Sequence, residues 1–126
     1  MAIVADTGAL IEFDRGDRVV TALLDAALRR GEPVLTSSGC IAQAWRSGGP
    51  RQALLARLLK SLDERSLDSD VSKAIGILCA KSGVSDVVDA HVSTLVSAGD
   101  LLMTSDVEDL VALLRAGRID AVIHRC

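Results

Sequence analysis

Aspartates occur at three places in this chain where their spacing could support metal chemistry. Asp6 ends a short apolar run, Asp86 and Asp89 lie three residues apart, and Asp106 and Asp109 repeat that spacing. Residues three apart at the start of a helix face the same way. Converging carboxylates repel one another and raise each other's pKa, and a divalent cation removes that conflict. Because Mg²⁺ and Mn²⁺ prefer oxygen ligands, the pattern predicts an acidic metal pocket.

The chemistry expected of such a pocket is metal-assisted attack on a phosphoryl group. A bound divalent cation lowers the pKa of a bound water and polarises a phosphoryl oxygen. Thr7, Ser85 and Ser105 flank the acids and could orient the nucleophilic water.

A structural function remains open for each acidic segment taken singly. Aspartate also caps helices and favours the positive end of a helix dipole, which would explain either pair of aspartates. Asp6 also suits a turn before Gly8. The three segments together favour the metal site.

The elements that would position these acids follow from the hydrophobic pattern. Apolar runs predict strands over residues 2–5, 33–36, 101–104 and 121–123, and residues 63–67 are ambiguous, with a short edge strand as one interpretation. Apolar residues at helical spacing predict helices over residues 19–28, 38–45 and 54–62. Three further helices begin at Val71, Val88 and Leu110, and they end near Gly83, near Gly99 and before Gly117. Alternating strands and helices indicate an α/β fold, a three-layer α/β/α sandwich with a mainly parallel central sheet. The carboxyl ends of parallel strands meet at one edge, where ligands bind, so Asp6 and Asp106 should lie close together.

Length and composition place limits on the class of protein. The chain has 126 residues, which predicts one domain over 1–126. It has one Phe, one Trp and no Tyr, which argues against an aromatic platform that stacks single-stranded bases. The net charge of −3 provides no basic field that would attract nucleic acid globally. Three widely spaced cysteines form neither a disulfide framework nor a zinc motif, and no segment predicts a signal peptide or membrane span, so we expect a cytoplasmic protein.

Three segments in this order carry a resemblance to a known family. They are Ile3-Val4-Ala5-Asp6-Thr7-Gly8-Ala9-Leu10, Asp89-Ala90 opening a helix, and Leu102-Met103-Thr104-Ser105-Asp106-Val107-Glu108-Asp109-Leu110. Over nearly the whole chain the sequence resembles the PIN domains, specifically the VapC-type ribonuclease toxins of bacterial toxin–antitoxin pairs. The resemblance implies a PIN-like α/β/α sandwich, Mg²⁺- or Mn²⁺-dependent cleavage of RNA, a homodimer, and a cognate antitoxin that covers the active site.

One position departs from the pattern of that family. The second acid is usually a Glu on the helix after the second strand, and the matching residue here is Gln43. An amide can offer its carbonyl oxygen but carries no charge, so metal affinity should be weakened. We hypothesise that Asp86, one turn from Asp89, restores some of the lost charge. Arg46 follows on the same segment and is the preferred phosphate contact, because the guanidinium group binds phosphate bidentately.

Two functional hypotheses lead from these residues. The first is a metal-dependent endoribonuclease in which Asp6, Asp89 and Asp106 are the principal ligands. Its supporting residues would be Asp86, Asp109, Gln43, Thr7 and Ser105. The second is a non-catalytic PIN-like module that binds RNA or a protein, since the usual Glu is absent. A receiver-like phosphoryl-transfer domain is disfavoured because Lys60, Lys73 and Lys81 all fall in helical segments.

Overall fold

Five short parallel strands form the centre of the molecule. The computed structural model describes all residues, Met1–Cys126. The strands are β1 (Ile3–Ala5), β2 (Val34–Ser37), β3 (Asp63–Arg65), β4 (Leu101–Thr104) and β5 (Val122–Arg125). They pair in the order β3-β2-β1-β4-β5, and every neighbouring pair is parallel. The predicted parallel sheet is therefore confirmed, and part of the ambiguous segment 63–67 forms the short edge strand β3.

Seven helices cover the two faces of this sheet. They are α1 (Thr7–Asp14), α2 (Arg18–Arg29), α3 (Ser38–Ala44), α4 (Ala53–Leu59), α5 (Ser69–Ser82), α6 (Val87–Leu95) and α7 (Val107–Gly117). Helix α1 contacts α2, α3 and α4, whereas α5, α6 and α7 contact one another, so the helices form two separate layers. This arrangement confirms the three-layer α/β/α sandwich. No helix is long and apolar enough to cross a bilayer.

The order in which successive strands join the sheet reverses between β1 and β4. The first connections lead from β1 outward to β2 and β3, and the later ones lead to β4 and β5 on the other side. In doubly wound sheets, ligands bind in the crevice at the carboxyl ends of the strands where this reversal occurs. Asp6 follows β1, and Ser105 and Asp106 follow β4, so the predicted acids lie at this crevice. The Asp6 amide donates to the Met103 carbonyl at 3.1 Å, which holds the two strand ends together.

The central strands supply much of the core, as the aliphatic composition predicts. Val4, Ala5 and Leu102 are completely buried, which fits strands covered by helices on both faces. Phe13 is the only Phe, Tyr or Trp residue within the core, and the half-buried Trp45 packs against the outside of the core. Strand β3 is exposed and charged throughout, which discourages pairing of this edge with another chain.

Helix α1 is the main element that sequence reasoning missed. The segment after Asp6 suggested only a turn at Gly8, but a helix begins directly at Thr7 and continues to Asp14. Asp6 is its N-cap, and Ala9, Leu10 and Phe13 are its buried residues. Several boundaries also differ from the prediction. Helix α4 ends at Leu59 rather than residue 62, and α6 ends at Leu95 rather than near Gly99. Helix α7 begins at Val107 rather than residue 110, and β5 extends to Arg125.

Gly8 allows the start of α1 to lie close to the loop after β4. A Cβ atom at Gly8 would overlap the Oγ and Cβ atoms of Ser105. The second of these atoms cannot rotate away, since it is attached directly to the backbone. The crevice therefore depends on a glycine at this position.

We expect Gly8→Ala to destabilise the protein by about 1–3 kcal/mol, because the added methyl group overpacks the crevice. Urea unfolding of the two proteins measures this difference. Gly76→Ala is the matched control, because Gly76 lies within α5 and a Cβ there meets no atom within 4 Å. That control should gain about 0.5–1 kcal/mol from the better helix propensity of alanine. Equal stabilities of Gly8→Ala and the unmodified protein would contradict the close approach.

Candidate metal centre

Three carboxylates at the start of two helices form an acidic cluster. Asp89 lies in the first turn of α6, Asp106 is at the N-cap position of α7, and Asp109 lies in its first turn. One carboxylate oxygen from each lies within 4.8 Å of the others. An ion that binds oxygens at roughly 2.0–2.6 Å would fit between oxygens at this separation. The cluster could therefore hold a metal ion.

The two helices begin differently, and this difference distinguishes Asp86 from Asp106 as a cap. Asp86 is a true cap, because its Oδ1 accepts from the Asp89 amide at 2.9 Å. The carboxylate of Asp106 makes no such bond. Instead, the Asp106 amide donates to Thr104 Oγ1 at 2.9 Å. Capping thus accounts for Asp86 but leaves the side chain of Asp106 available to the cluster.

Burial and repulsion between carboxylates strongly raise the pKa of Asp89. Burial raises the pKa of Asp89 to about 8, together with the hydrogen bond to Asp106 that its protonated form gains and the charges of nearby carboxylates. These carboxylates are Asp86, Asp106 and Asp6. Its Oδ2 is the only fully buried side-chain oxygen or nitrogen without a hydrogen-bond partner. Burying such an atom unpaired is unfavourable by about 1–3 kcal/mol. The Asp109 pKa is also raised, first by desolvation and then by the charge of Asp106.

The residues of the cluster fit a hard divalent cation. All the available donors are carboxylate oxygens, which suit Mg²⁺ and Mn²⁺ better than soft metals. A cation beside Asp89 would supply the missing partner of Oδ2 and offset the repulsion that raises its pKa.

Asp6 lies outside the cluster and joins two segments of the crevice. It is 3% exposed. Its Oδ1 accepts from the Ala9 amide at 3.0 Å, and its Oδ2 accepts from the Ser105 amide at 3.2 Å. Burial raises the pKa of Asp6, while hydrogen bonds from Thr104 and from these amides oppose the rise. Each carboxylate oxygen keeps a second lone pair, so Asp6 supports the crevice and also adds negative charge to it.

Gln43 is joined to the start of α1 through Thr7. The Thr7 hydroxyl donates a short hydrogen bond to Gln43 Oε1. Because Thr7 directly follows Asp6 in the chain, this contact brings the Gln43 side chain to the end of β1, where the sequence predicted a supporting polar group. The amide nitrogen of Gln43 makes no hydrogen bond within the protein, and the side chain is exposed. One lone pair of the carbonyl oxygen is therefore engaged, and the nitrogen is free to donate.

Arg46 lies just beyond α3 and is exposed, as a phosphate contact requires. Its Nη1 donates to the carbonyl oxygens of Ala42 at 3.3 Å and Trp45 at 2.8 Å, so part of the guanidinium caps α3. The loop that follows is held by Gln52, whose Oε1 accepts from the amides of residues 46–48. Sequence reasoning missed Gln52, because a glutamine in a Pro50-Arg-Gln turn carries no pattern that predicts three amide partners.

The three motif segments of the sequence analysis meet at this crevice. The end of β1 with the start of α1, the start of α6, and the end of β4 with the start of α7 all contribute to it. No family model matches the chain, and no curated protein matches it either. Arguments for its function therefore rest on the geometry and chemistry of the crevice.

In the metal-free protein, we expect the free energy of unfolding to fall as the pH rises from about 4 to about 8. The folded chain keeps a proton on Asp89 up to about pH 8, whereas the unfolded chain releases it near the ordinary value of 3.8. The stability that this proton contributes is complete below the ordinary pKa of 3.8, and it is lost as the pH rises through the folded-state pKa of about 8. Denaturant unfolding across this range in EDTA measures the slope.

Asp89→Asn should reduce that slope, and it should stabilise the metal-free protein by about 1 kcal/mol at pH 8.5, after allowance for solvent screening. Added Mn²⁺ should raise the Tm of the unmodified protein and leave that of Asp89→Asn nearly unchanged. Asp25→Asn, an exposed change on α2, is the control and should match the unmodified protein. Equal pH slopes in all three proteins would contradict the assignment of the proton to Asp89.

Proposed function

We propose that this protein is a metal-dependent endoribonuclease of the PIN type, related to the VapC-type toxins. The observation that carries the proposal is the convergence of Asp89, Asp106 and Asp109 within 4.8 Å at the crevice of a doubly wound parallel sheet. Clustered carboxylates with one unpartnered oxygen favour a cation. A bound Mg²⁺ or Mn²⁺ would supply a Lewis acid that activates water and offsets phosphate charge.

The residues around the cluster would orient the substrate and the water. Asp89, Asp106 and Asp109 would hold the ion, and Asp6 would fix the loop after β4 through its bond to the Ser105 amide. The Ser105 side chain is exposed, and its hydroxyl has no partner within the protein. This hydroxyl is free to bind a water or a phosphate oxygen, as the sequence analysis predicts.

Arginine side chains would bind the RNA backbone. Arg46, Arg51 and Arg57 are all exposed, and they lie in α4 or between α3 and α4. A guanidinium group has five N–H donors, so Arg46 keeps donors for phosphate beyond those that cap α3. Such cations would hold a polyanion near an acidic floor in a chain of net charge −3.

A cognate antitoxin would inhibit cleavage by inserting an arginine among the carboxylates, because a guanidinium group forms paired hydrogen bonds with them. It would also cover apolar helix surface, for which the leucine-rich segment 54–62 and the residues around Trp45 are candidates. In that segment Leu55 and Leu58 are buried in the core, whereas Leu54 is 37% exposed. Val87 is 51% exposed and lies beside Asp86 at the start of α6. We propose that the antitoxin contacts Val87, the exposed apolar residue beside the acids. We also propose that the protein assembles as a homodimer.

The proposed activity predicts metal-dependent cleavage of single-stranded, hairpin or tRNA-like RNA in Mg²⁺ or Mn²⁺ and none in EDTA. Asp89→Asn and Asp106→Asn should each lower the cleavage rate by roughly 100-fold or more, since a change at a metal centre can lower activity by that much. Gel analysis of labelled RNAs measures the rate, and Asp25→Asn should retain it. Cleavage that persists in EDTA, or in both variants, would contradict the proposal.

The main competing function is a non-catalytic module that binds RNA or a protein. The bond between Thr7 and Gln43 Oε1 favours it, because the group at the usual Glu position is neutral and its carbonyl oxygen is engaged. Under the nuclease proposal, Gln43→Glu should strengthen Mn²⁺ binding by roughly 10-fold in calorimetry, because it adds a negative charge beside the crevice. The control Glu32→Gln should leave affinity unchanged. An inactive unmodified protein that gains cleavage only as Gln43→Glu would favour the binding module.

A further inference from the structure

A cavity lies on the other side of α6 from the acidic cluster. Its volume is about 510 Å³, which suits a small organic group. Its polar wall includes Glu64, Ser66, Asp68 and His91, and Val71 and Leu95 belong to its apolar wall. His91 is two residues from Asp89, so the two side chains leave α6 in nearly opposite directions. Ser66 and Asp68 follow β3, which places this cavity at the same edge of the sheet as the acids.

His91 presents a hydrogen-bond donor to this cavity. It is 1% exposed, and its Nδ1 lies 2.6 Å from Ser37 Oγ. Ser37 Oγ accepts from the Gly39 amide, and its own proton has no acceptor other than His91 Nδ1. The ring proton is therefore on Nε2. Nε2 has no partner and is not fully buried, so it faces the cavity that His91 lines.

Carboxylate oxygens on the same wall provide acceptors. Glu64 Oε2 accepts from Ser38 Oγ at 2.7 Å, which leaves Oε1 free. Asp68 Oδ1 accepts from the Val71 amide at 2.8 Å, which leaves Oδ2 free. Arg65 is paired with Asp63 through two bonds, so its charge is already compensated. The cavity thus places two anionic acceptors beside the His91 donor, a combination that favours a ligand rich in N–H groups.

We propose that this cavity binds a guanine base. Guanine presents two neighbouring N–H donors and one carbonyl acceptor on its Watson–Crick edge, and proteins read this edge by hydrogen bonds in single-stranded RNA. The Glu64 carboxylate would accept from N1–H and N2–H, and His91 Nε2–H would donate to O6. Adenine and cytosine place an acceptor where guanine has N1–H, so they would face Glu64 with repulsion. The inference rests on the proposed function in one respect: in RNA, this guanine would select the site of cleavage.

The test measures binding in EDTA, where no cleavage occurs. Guanosine, adenosine and cytidine 5′-monophosphates are titrated into the unmodified protein, and the His91 ring signals are followed by NMR. We expect the guanine nucleotide to bind at least about 10-fold more tightly than the other two. Glu64→Gln, an exposed change on β3, should abolish that preference, whereas Glu32→Gln before β2 should retain it.

A second arm distinguishes a free nucleotide from a base within RNA. Two short single-stranded RNAs that differ by one guanine-to-adenine change are bound under the same conditions. Preference for the guanine RNA supports a substrate subsite, and preference only for the free nucleotide would overturn that assignment. Equal binding of the three nucleotides, or an unchanged preference in Glu64→Gln, would overturn the cavity proposal. Guanine binding by a protein that cuts no RNA would uphold the cavity and refute the nuclease.

Discussion

Repulsion among the carboxylates at the end of β4 and the start of α6 is the constraint on which the crevice depends. Asp89, Asp106 and Asp109 bring oxygens within 4.8 Å of one another, and Asp6 and Asp86 add charge from outside. The fold accepts a proton on Asp89 up to about pH 8 and leaves its Oδ2 unpaired. Such an arrangement lowers the stability of the metal-free protein, and proteins retain such local conflicts chiefly at functional sites.

Other residues hold the segments that carry these carboxylates in place. The carboxylate of Asp6 joins the start of α1 to the loop after β4, and Gly8 leaves space for that approach. The crevice results from the reversal of strand order between β1 and β4, so no single element forms it. The same sheet edge opens into the His91 cavity beyond α6, so one strand of RNA could contact both.

Much of this arrangement could be predicted from sequence, since apolar runs followed by aspartates mark strand ends. The parallel sheet and the acids at its edge were predicted in this way. Helix α1 was missed because its cap, Asp6, was interpreted as a ligand before a turn. The pair Ser37–His91 could not be predicted, because 54 residues separate its members and neither lies in a recognisable motif. Capping at Asp86 but not at Asp106 depends on side-chain orientation, which spacing does not determine.

The most direct test of the central claim is a crystal structure of the protein soaked in Mn²⁺, with anomalous scattering recorded to locate the metal. We expect an anomalous peak among the carboxylates of Asp89, Asp106 and Asp109 that disappears in crystals of Asp89→Asn. A well-ordered crevice without a peak, or a peak bound only by other residues, would contradict the assignment of this cluster as a metal centre.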